Sequence, residues 1–408
     1  MPRSEGCPLA FLSDLRLKVI FLAATICSHG FGAQSLSASV TGGDRKALFA
    51  QGQQDLIEHR DEAAFEVFQK LLAGGMISAP VYSNIGIACL RTGRKEEAIA
   101  NLQKAQRLAP DMPGINLNLG LAYYKKQDFP NASASFSSHL AKDPDNNQAR
   151  YLRALCSYFM DNYGSAANDL LSLQGAQSSI DYFFILGISL GHMKRREESE
   201  RAFSKMIEVS GNTPEMHLLL AQAYLGLHDN ERAEAEVGAV MSTKPQTAFA
   251  HYYRGIIHEL RGQKTEALAD YEAEIRISPH EAWSFEHAGN IRLEQGDAQG
   301  AADLLEAGLA QNPHTPRLLM ALAKAYLHLD EPQKATPMLE NAVALEPQNG
   351  SFHYQLGRAY KKLGRARESE IEMRLAARLF KDVDSKQVLS FSEEQSLKQM
   401  PSNRIAEP

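Results

Sequence analysis

The sequence predicts an all-α solenoid, built as a tandem array of short antiparallel helix pairs. Three observations predict it. From Arg45 onward the chain repeats with a period of 34 residues. Within each unit the apolar residues recur at helical rather than strand spacing. The same two positions are small in every unit, as close helix crossings require. The bulk composition agrees: 44% hydrophobic and 23% charged residues are ordinary for a folded protein. A net charge of −6 argues against nucleic acid as a partner, because phosphate binding favours a basic surface.

The N-terminus differs in kind from the repeats. Arg16 and Lys18 precede an apolar run of nine, Val19 to Cys27, and then the small residues Gly30, Gly32 and Ala33. That order predicts a signal peptide or membrane anchor over 1–33, the alternative being a helix docked on the first repeat. Bulky Ile26 before Cys27 argues against a lipoprotein. Either main reading makes the chain exported, periplasmic or extracellular, or anchored to the membrane by this segment. No apolar run reaches the eighteen or so residues of a spanning helix, so the membrane enters only through the N-terminal segment. Ser- and Gly-rich residues 34–44 predict a flexible linker.

The clearest unit is Ala79–Met112. Tyr82, Ile85, Gly86 and Cys89 form the stripe of a first helix, and Thr92-Gly93-Arg94 is a turn. Ala98, Leu102 and Ala105 form the stripe of a second helix, which Pro110 closes because proline has no N–H to continue it. Registering on Gly86 as position eight gives starts at 45, 79, 113, 147, 180, 214, 248, 282, 316 and 350, the fourth unit being one residue short. Position eight is then Gly52, Gly86, Gly120, Ala154, Gly187, Ala221, Gly255, Gly289, Ala323 and Gly357. Position twenty is Ala64, Ala98, Ala132, Ala166, Ser199, Ala233, Ala267, Ala301, Ala335 and Ser369. Position twenty-four is apolar throughout, and Pro110, Pro144, Pro245, Pro279, Pro313 and Pro347 fall at position thirty-two. A mid-helix glycine costs about 0.5–1 kcal/mol relative to alanine, so glycine at position eight in most units implies a steric demand.

Small-8, small-20, apolar-24 and Pro-32 in register resemble the tetratricopeptide-repeat (TPR) family, with ten repeats over 45–383. The resemblance implies a right-handed superhelical solenoid, with first helices lining a concave groove and second helices the convex face. It also implies binding of peptides, helices or whole proteins. Each repeat contacts its neighbours, and terminal repeats need polar caps. Departures mark weaker places. Position twenty-seven, usually small, holds His139, Leu173, Met206 and Glu274. A buried carboxylate is costly unless paired, so Glu274 is expected at a solvent edge. Repeats four and five lack the closing proline, which makes 173–180 a candidate hinge.

No catalytic chemistry is legible. HExxH, paired CxxC and a phosphate-cradling glycine loop are all missing from the sequence. No catalytic residue, cofactor or metal site is assigned; His251, His258 and His287 are expected to be ordinary polar groove residues. Cys89 and Cys156 lie two repeats apart, beyond disulfide reach, and are expected to be reduced packing residues.

Function is therefore read from the groove, where positions 2, 5, 6, 9, 12 and 13 of each first helix are expected to face inward. In the second repeat these are Pro80, Ser83, Asn84, Ile87, Leu90 and Arg91. In repeats four to seven the inward set is apolar and aromatic: Tyr151, Leu155, Tyr158, Phe159, Phe184, Ile188, Tyr252, Tyr253 and Ile256. An exposed patch of this kind marks a partner-binding groove; self-association and internal packing are the alternatives. The last repeats are polar inside, and 350–381 carries eight Lys/Arg against three Glu. The Lys/Asn pattern that clamps a C-terminal carboxylate is missing. Residues 384–408 form a polar tail with a capping box at Ser392–Gln395. The expected function is a non-catalytic scaffold for a protein or peptide partner; the family's exported bacterial members imply envelope assembly or secretion. The alternatives are a recruiting module for a separate enzyme such as a glycosyltransferase, and a self-associating structural solenoid.

Overall fold

The computed structural model describes residues 43–173 and 179–381. The 1–33 leader, the linker up to residue 42, residues 174–178 of the candidate hinge and the 384–408 tail lie outside the described residues. All regular structure among the described residues is helical. The pairs are α1 (Gly43–Ile57) and α2 (Asp61–Ala73), α3 (Ala79–Arg91) and α4 (Lys95–Leu108), α5 (Ile115–Lys125) and α6 (Phe129–Leu140), α7 (Asn147–Phe159) and α8 (Tyr163–Leu171). Then come α9 (Ile180–His192) and α10 (Arg196–Ser210), α11 (Pro214–Gly226) and α12 (Asn230–Thr243), α13 (Ala250–Leu260) and α14 (Lys264–Ile277). The last are α15 (Ala282–Glu294) and α16 (Ala298–Gln311), α17 (Pro316–His328) and α18 (Pro332–Leu345), α19 (Gly350–Lys362) and α20 over 366–381. Each pair corresponds to one repeat of the sequence, the fourth being 33 residues long and α1 starting two residues early.

The chain divides into two compact units, one ending at Ala233 and one beginning at Glu234. In the first, consecutive helices from α1 through α11 pack on one another; in the second, those from α13 through α19 do the same. Neighbour-on-neighbour packing is what amphipathic hairpins require, since one pair cannot cover its own apolar stripes.

The steric demand at position eight has an identified partner. A Cβ built on Gly52, Gly86, Gly120, Gly255, Gly289 or Gly357 would meet the side chain at position twenty-four of the same repeat. For Gly86 the nearest atom is Leu102 Cγ at 2.5 Å, and for Gly120 it is Phe136 Cε1 at 2.5 Å. Gly187 meets Phe203 in the same way. Aromatic rings occupy position twenty-four only where position eight is glycine, whereas the alanine repeats carry Leu170, Val237 or Leu339. Ala98, Ala132 and Ala267 at position twenty are fully buried. Where that residue is serine, its hydroxyl donates to the position-eight carbonyl: Ser199 Oγ to Gly187 O at 2.7 Å and Ser369 Oγ to Gly357 O at 2.8 Å.

The turn inside each pair uses one backbone device ten times. Position fifteen has positive φ in every repeat, from 57° at His59 to 83° at Gly93 and Gly296. Only Gly93, Gly262, Gly296 and Gly364 are glycines there, while His59, Gln127, Asp161, Lys194, His228 and Asp330 adopt the same left-handed conformation at about 1–2 kcal/mol each. The departures also resolve. α8 has nine residues against thirteen to fifteen in α2, α4 and α10, and its end is tied by Tyr182 Oη donating to Leu170 O at 3.0 Å.

Glu274 corrects the solvent-edge expectation. It is fully buried, and its carboxylate accepts from Phe249 N at 2.7 Å and Tyr252 N at 3.4 Å. Phe249 is the N-cap of α13 and carries no capping side chain of its own. Glu274 therefore caps α13 from α14, with its negative charge at the positive end of the helix dipole.

Candidate functional site

The first helices carry the candidate site, so the exposure of their inward positions decides where a partner can reach. Tyr151, Leu155, Phe184, Ile188, Tyr252 and Tyr253 are buried, and Tyr158, Phe159 and Ile256 are half-buried. This corrects the expectation of a solvent-facing aromatic patch. The rings satisfy one another. Phe159 stacks on Phe129 with centroids 4.9 Å apart and lies 6.4 Å from Tyr124 of the preceding repeat. Tyr252 packs edge-on against Tyr253 at 5.4 Å and His287 at 5.8 Å, and at 6.0 Å from Tyr271. Burial, with the nearby Glu281, Glu286 and Glu259 carboxylates, pushes the Tyr252 hydroxyl well above its ordinary pKa.

Position thirteen, expected to face the groove, has a different job in three repeats. Arg91 Nη1 donates to Leu56 O at 2.7 Å, Lys125 Nζ to Leu90 O at 3.0 Å and Lys362 Nζ to Leu327 O at 3.1 Å. Each acceptor closes the first helix of the preceding repeat, where a cation satisfies an orphan carbonyl and opposes the dipole. The sequence signal was a basic residue at the same place in each of these repeats.

The three histidines contact carboxylates, of which Asp270 is buried and Glu259 half-buried. Asp270 is 4% exposed and accepts from Arg254 Nε at 2.9 Å, with His251 Nδ1 at 3.0 Å and His258 Nε2 at 3.5 Å. Burial alone would raise the Asp270 pKa; the bonds from His251 and Arg254 overcome it and hold the carboxyl below its ordinary value. Glu259 is likewise held low against burial, by His287 Nδ1 at 2.7 Å and the Tyr271 hydroxyl at 2.5 Å. Among the described residues no group of three or more His, Cys, Asp or Glu is arranged to hold a metal ion. Cys89 and Cys156 are buried free thiols; burial pushes Cys89 up to about 11 and Cys156 further.

In repeat ten, inside the second unit, Tyr354, Arg358 and Lys361 are exposed; Trp283, Glu286, His287, Asn290, Met320 and Lys324 of repeats eight and nine are half-buried, as Tyr158, Phe159 and Ile256 are. Arg317 lies over the Trp283 ring at 4.8 Å and faces Glu286 at 4.0 Å. Leu327, Tyr354, Arg358, Lys361, Lys362 and Met373 line an open cavity of about 400 Å³. The sequence signal for this face was the polar and charged residues at positions 9 and 13, Asn290, Lys324 and Arg358 with Glu294, His328 and Lys362.

Profiles described as TPR repeat or tetratricopeptide repeat match residues 86–127, 117–177, 218–282, 292–336 and 350–382. The chain belongs to the tetratricopeptide-repeat family. It is 27% identical over 203 residues to mouse Superkiller complex protein 3, covering 47% of this chain and 13% of that protein. It is 32% identical over 124 residues to the chloroplastic tetratricopeptide repeat domain-containing protein PYG7 of Arabidopsis thaliana, covering 29% of this chain and 41% of that one. The chain thus spans less than half the length of these curated relatives. Among solved structures it resembles yeast Tom70 (TM-score 0.50, 13% identity, 87% of this chain and 96% of that one). It also resembles a tetratricopeptide repeat protein from Parabacteroides merdae (TM-score 0.45, 20% identity, 61% of this chain and 99% of that one). At these identities the likeness is one of fold. TPR arrays are generally non-catalytic, and a protein–protein interaction scaffold is the function that the repeats support.

Proposed function

We propose that this TPR chain is a non-catalytic scaffold that holds a protein partner on the first-helix face of repeats eight to ten. One observation supports this most: Tyr354, Arg358 and Lys361 are exposed together at inward positions of repeat ten, whereas Tyr151, Leu155, Phe184, Ile188, Tyr252 and Tyr253 of the middle repeats are buried. Aromatic and arginine side chains at an accessible concave face are the usual anchors of protein recognition. Incorporating a photo-crosslinking side chain at Tyr354, with a control at exposed Asn341 on α18, tests the reading. A partner crosslinked from Tyr354 and not from Asn341 is expected. Equal capture from both positions would remove the reason for choosing this face.

The reading includes export by the 1–33 segment, with envelope assembly or secretion as the setting. Its support is the basic flank and apolar run of the sequence. Purified native protein that still begins at Met1 and stays in the cytoplasm would overturn that part alone.

A further inference from the structure

We propose that the face formed by repeats nine and ten binds an extended acidic peptide whose carboxylates stand three residues apart. The proposal rests on the scaffold reading and gives the partner's chemistry. Lys324 and Arg358 both occupy position nine, on α17 and α19, and these two first helices touch directly. Neighbouring helix axes lie about 8–10 Å apart. A polyproline-II peptide has three residues per turn and rises about 3.1 Å per residue, so side chains three apart share a face at about 9 Å. The ladder of cations and the ladder of carboxylates therefore have the same step.

The charge on this face is uncompensated in one direction only. Glu286 has Arg317 at 4.0 Å, and Glu294 has Lys264 at 2.6 Å. Lys324 and Lys361 have no hydrogen-bond or ion-pair partner among the described residues, and Arg358 donates only to the neutral Gln355 amide, at 3.2 Å. A carboxylate ligand replaces water at three cations without displacing an existing ion pair. Beside them Tyr354 is 44% exposed, and the cavity of about 400 Å³ has Leu327 and Met373 among its lining residues. An apolar side chain next to the acidic pair fits that floor, which gives the peptide a second anchor. Nucleic acid is the other polyanion to consider. A chain of net charge −6, with only this small cluster of free cations on the face, offers few phosphate contacts.

The test is fluorescence anisotropy on the full chain with a short labelled peptide carrying two Glu three residues apart and an adjacent Leu. The controls are the same peptide with both Glu replaced by Gln, and a single-stranded oligonucleotide. Lys324→Glu and Arg358→Glu are each expected to weaken the acidic peptide about fivefold or more, and added salt is expected to weaken it further. Neither substitution removes a buried contact, so unchanged thermal melts should accompany the loss. A Lys-for-Glu peptide should regain binding to the Arg358→Glu variant. Equal binding of the Gln peptide, indifference to both substitutions, or tighter binding of the oligonucleotide would each overturn the proposal. A partner crosslinked at Tyr354 yet insensitive to Lys324→Glu and Arg358→Glu would leave the scaffold reading standing and sink this one.

Discussion

Replacing Gly120 by alanine should destabilise the chain, although alanine is the better helix former. A Cβ at Gly120 would lie 2.5 Å from Phe136 Cε1 and 2.6 Å from Cδ1. The ring is fully buried. Forcing one more carbon into such packing costs about 1–3 kcal/mol, while the gain in helix propensity is about 1 kcal/mol. The net expectation is a loss of about 0–2 kcal/mol. Gly238, inside α12, is the internal control, because a Cβ there meets nothing within 4 Å. Gly238→Ala should stabilise by about 1 kcal/mol, so the two variants should differ by about 1–3 kcal/mol in opposite directions. Urea unfolding under matched conditions measures this, and hydrogen exchange of the α5 and α6 amides localises it. The third arm is Phe136→Leu, which mimics the repeats that carry alanine at position eight. It should cost less in the Gly120→Ala background than alone, with a coupling of about 0.5–3 kcal/mol. If Gly120→Ala stabilises as much as Gly238→Ala, the steric account of position eight is wrong.

Three further outcomes are expected. Glu274→Ala leaves the Phe249 amide buried without its acceptor, a loss of about 1–3 kcal/mol, and should speed exchange at Phe249 and Tyr252 more than elsewhere. Asp270 has a folded pKa below its ordinary 3.8, so its contribution to stability is complete above that value and is lost as pH falls through the folded pKa. Asp270→Asn should therefore lower stability at neutral pH and flatten its acid limb below about pH 4; an acid limb as steep as the parent's would contradict the assignment. Cys89 and Cys156, buried and with raised pKa values, should resist a thiol reagent in the native state and react together on unfolding.

The candidate site was less legible in the sequence than the fold, and particular residues show why. Gly86, Ala98, Leu102 and Pro110 announce their roles through spacing along one chain; the first three positions keep their character in all ten repeats and the proline recurs in six. Arg91 and Lys362 occupy a groove-facing position by helical phase, yet their long side chains reach back to a carbonyl of the preceding repeat. Tyr151 and Tyr252 have the right phase for a binding groove as well, and their burial follows from packing that one repeat's pattern does not contain.

What the sequence determined by itself is the repeat. Helical period, the small residues where helices cross, the turn and the closing proline are local or strictly periodic, so each can be read within one unit. What only the tertiary structure decided is how neighbouring units use those elements. Glu274 reads as a misplaced charge in the sequence, and the structure sets it against a helix N-terminus of its own repeat. The accessible face moved from the aromatic middle repeats to the basic last ones for the same reason. Exposure and pairing are set by atoms distant in the chain, and a periodic pattern fixes which side a residue is on without fixing what covers it.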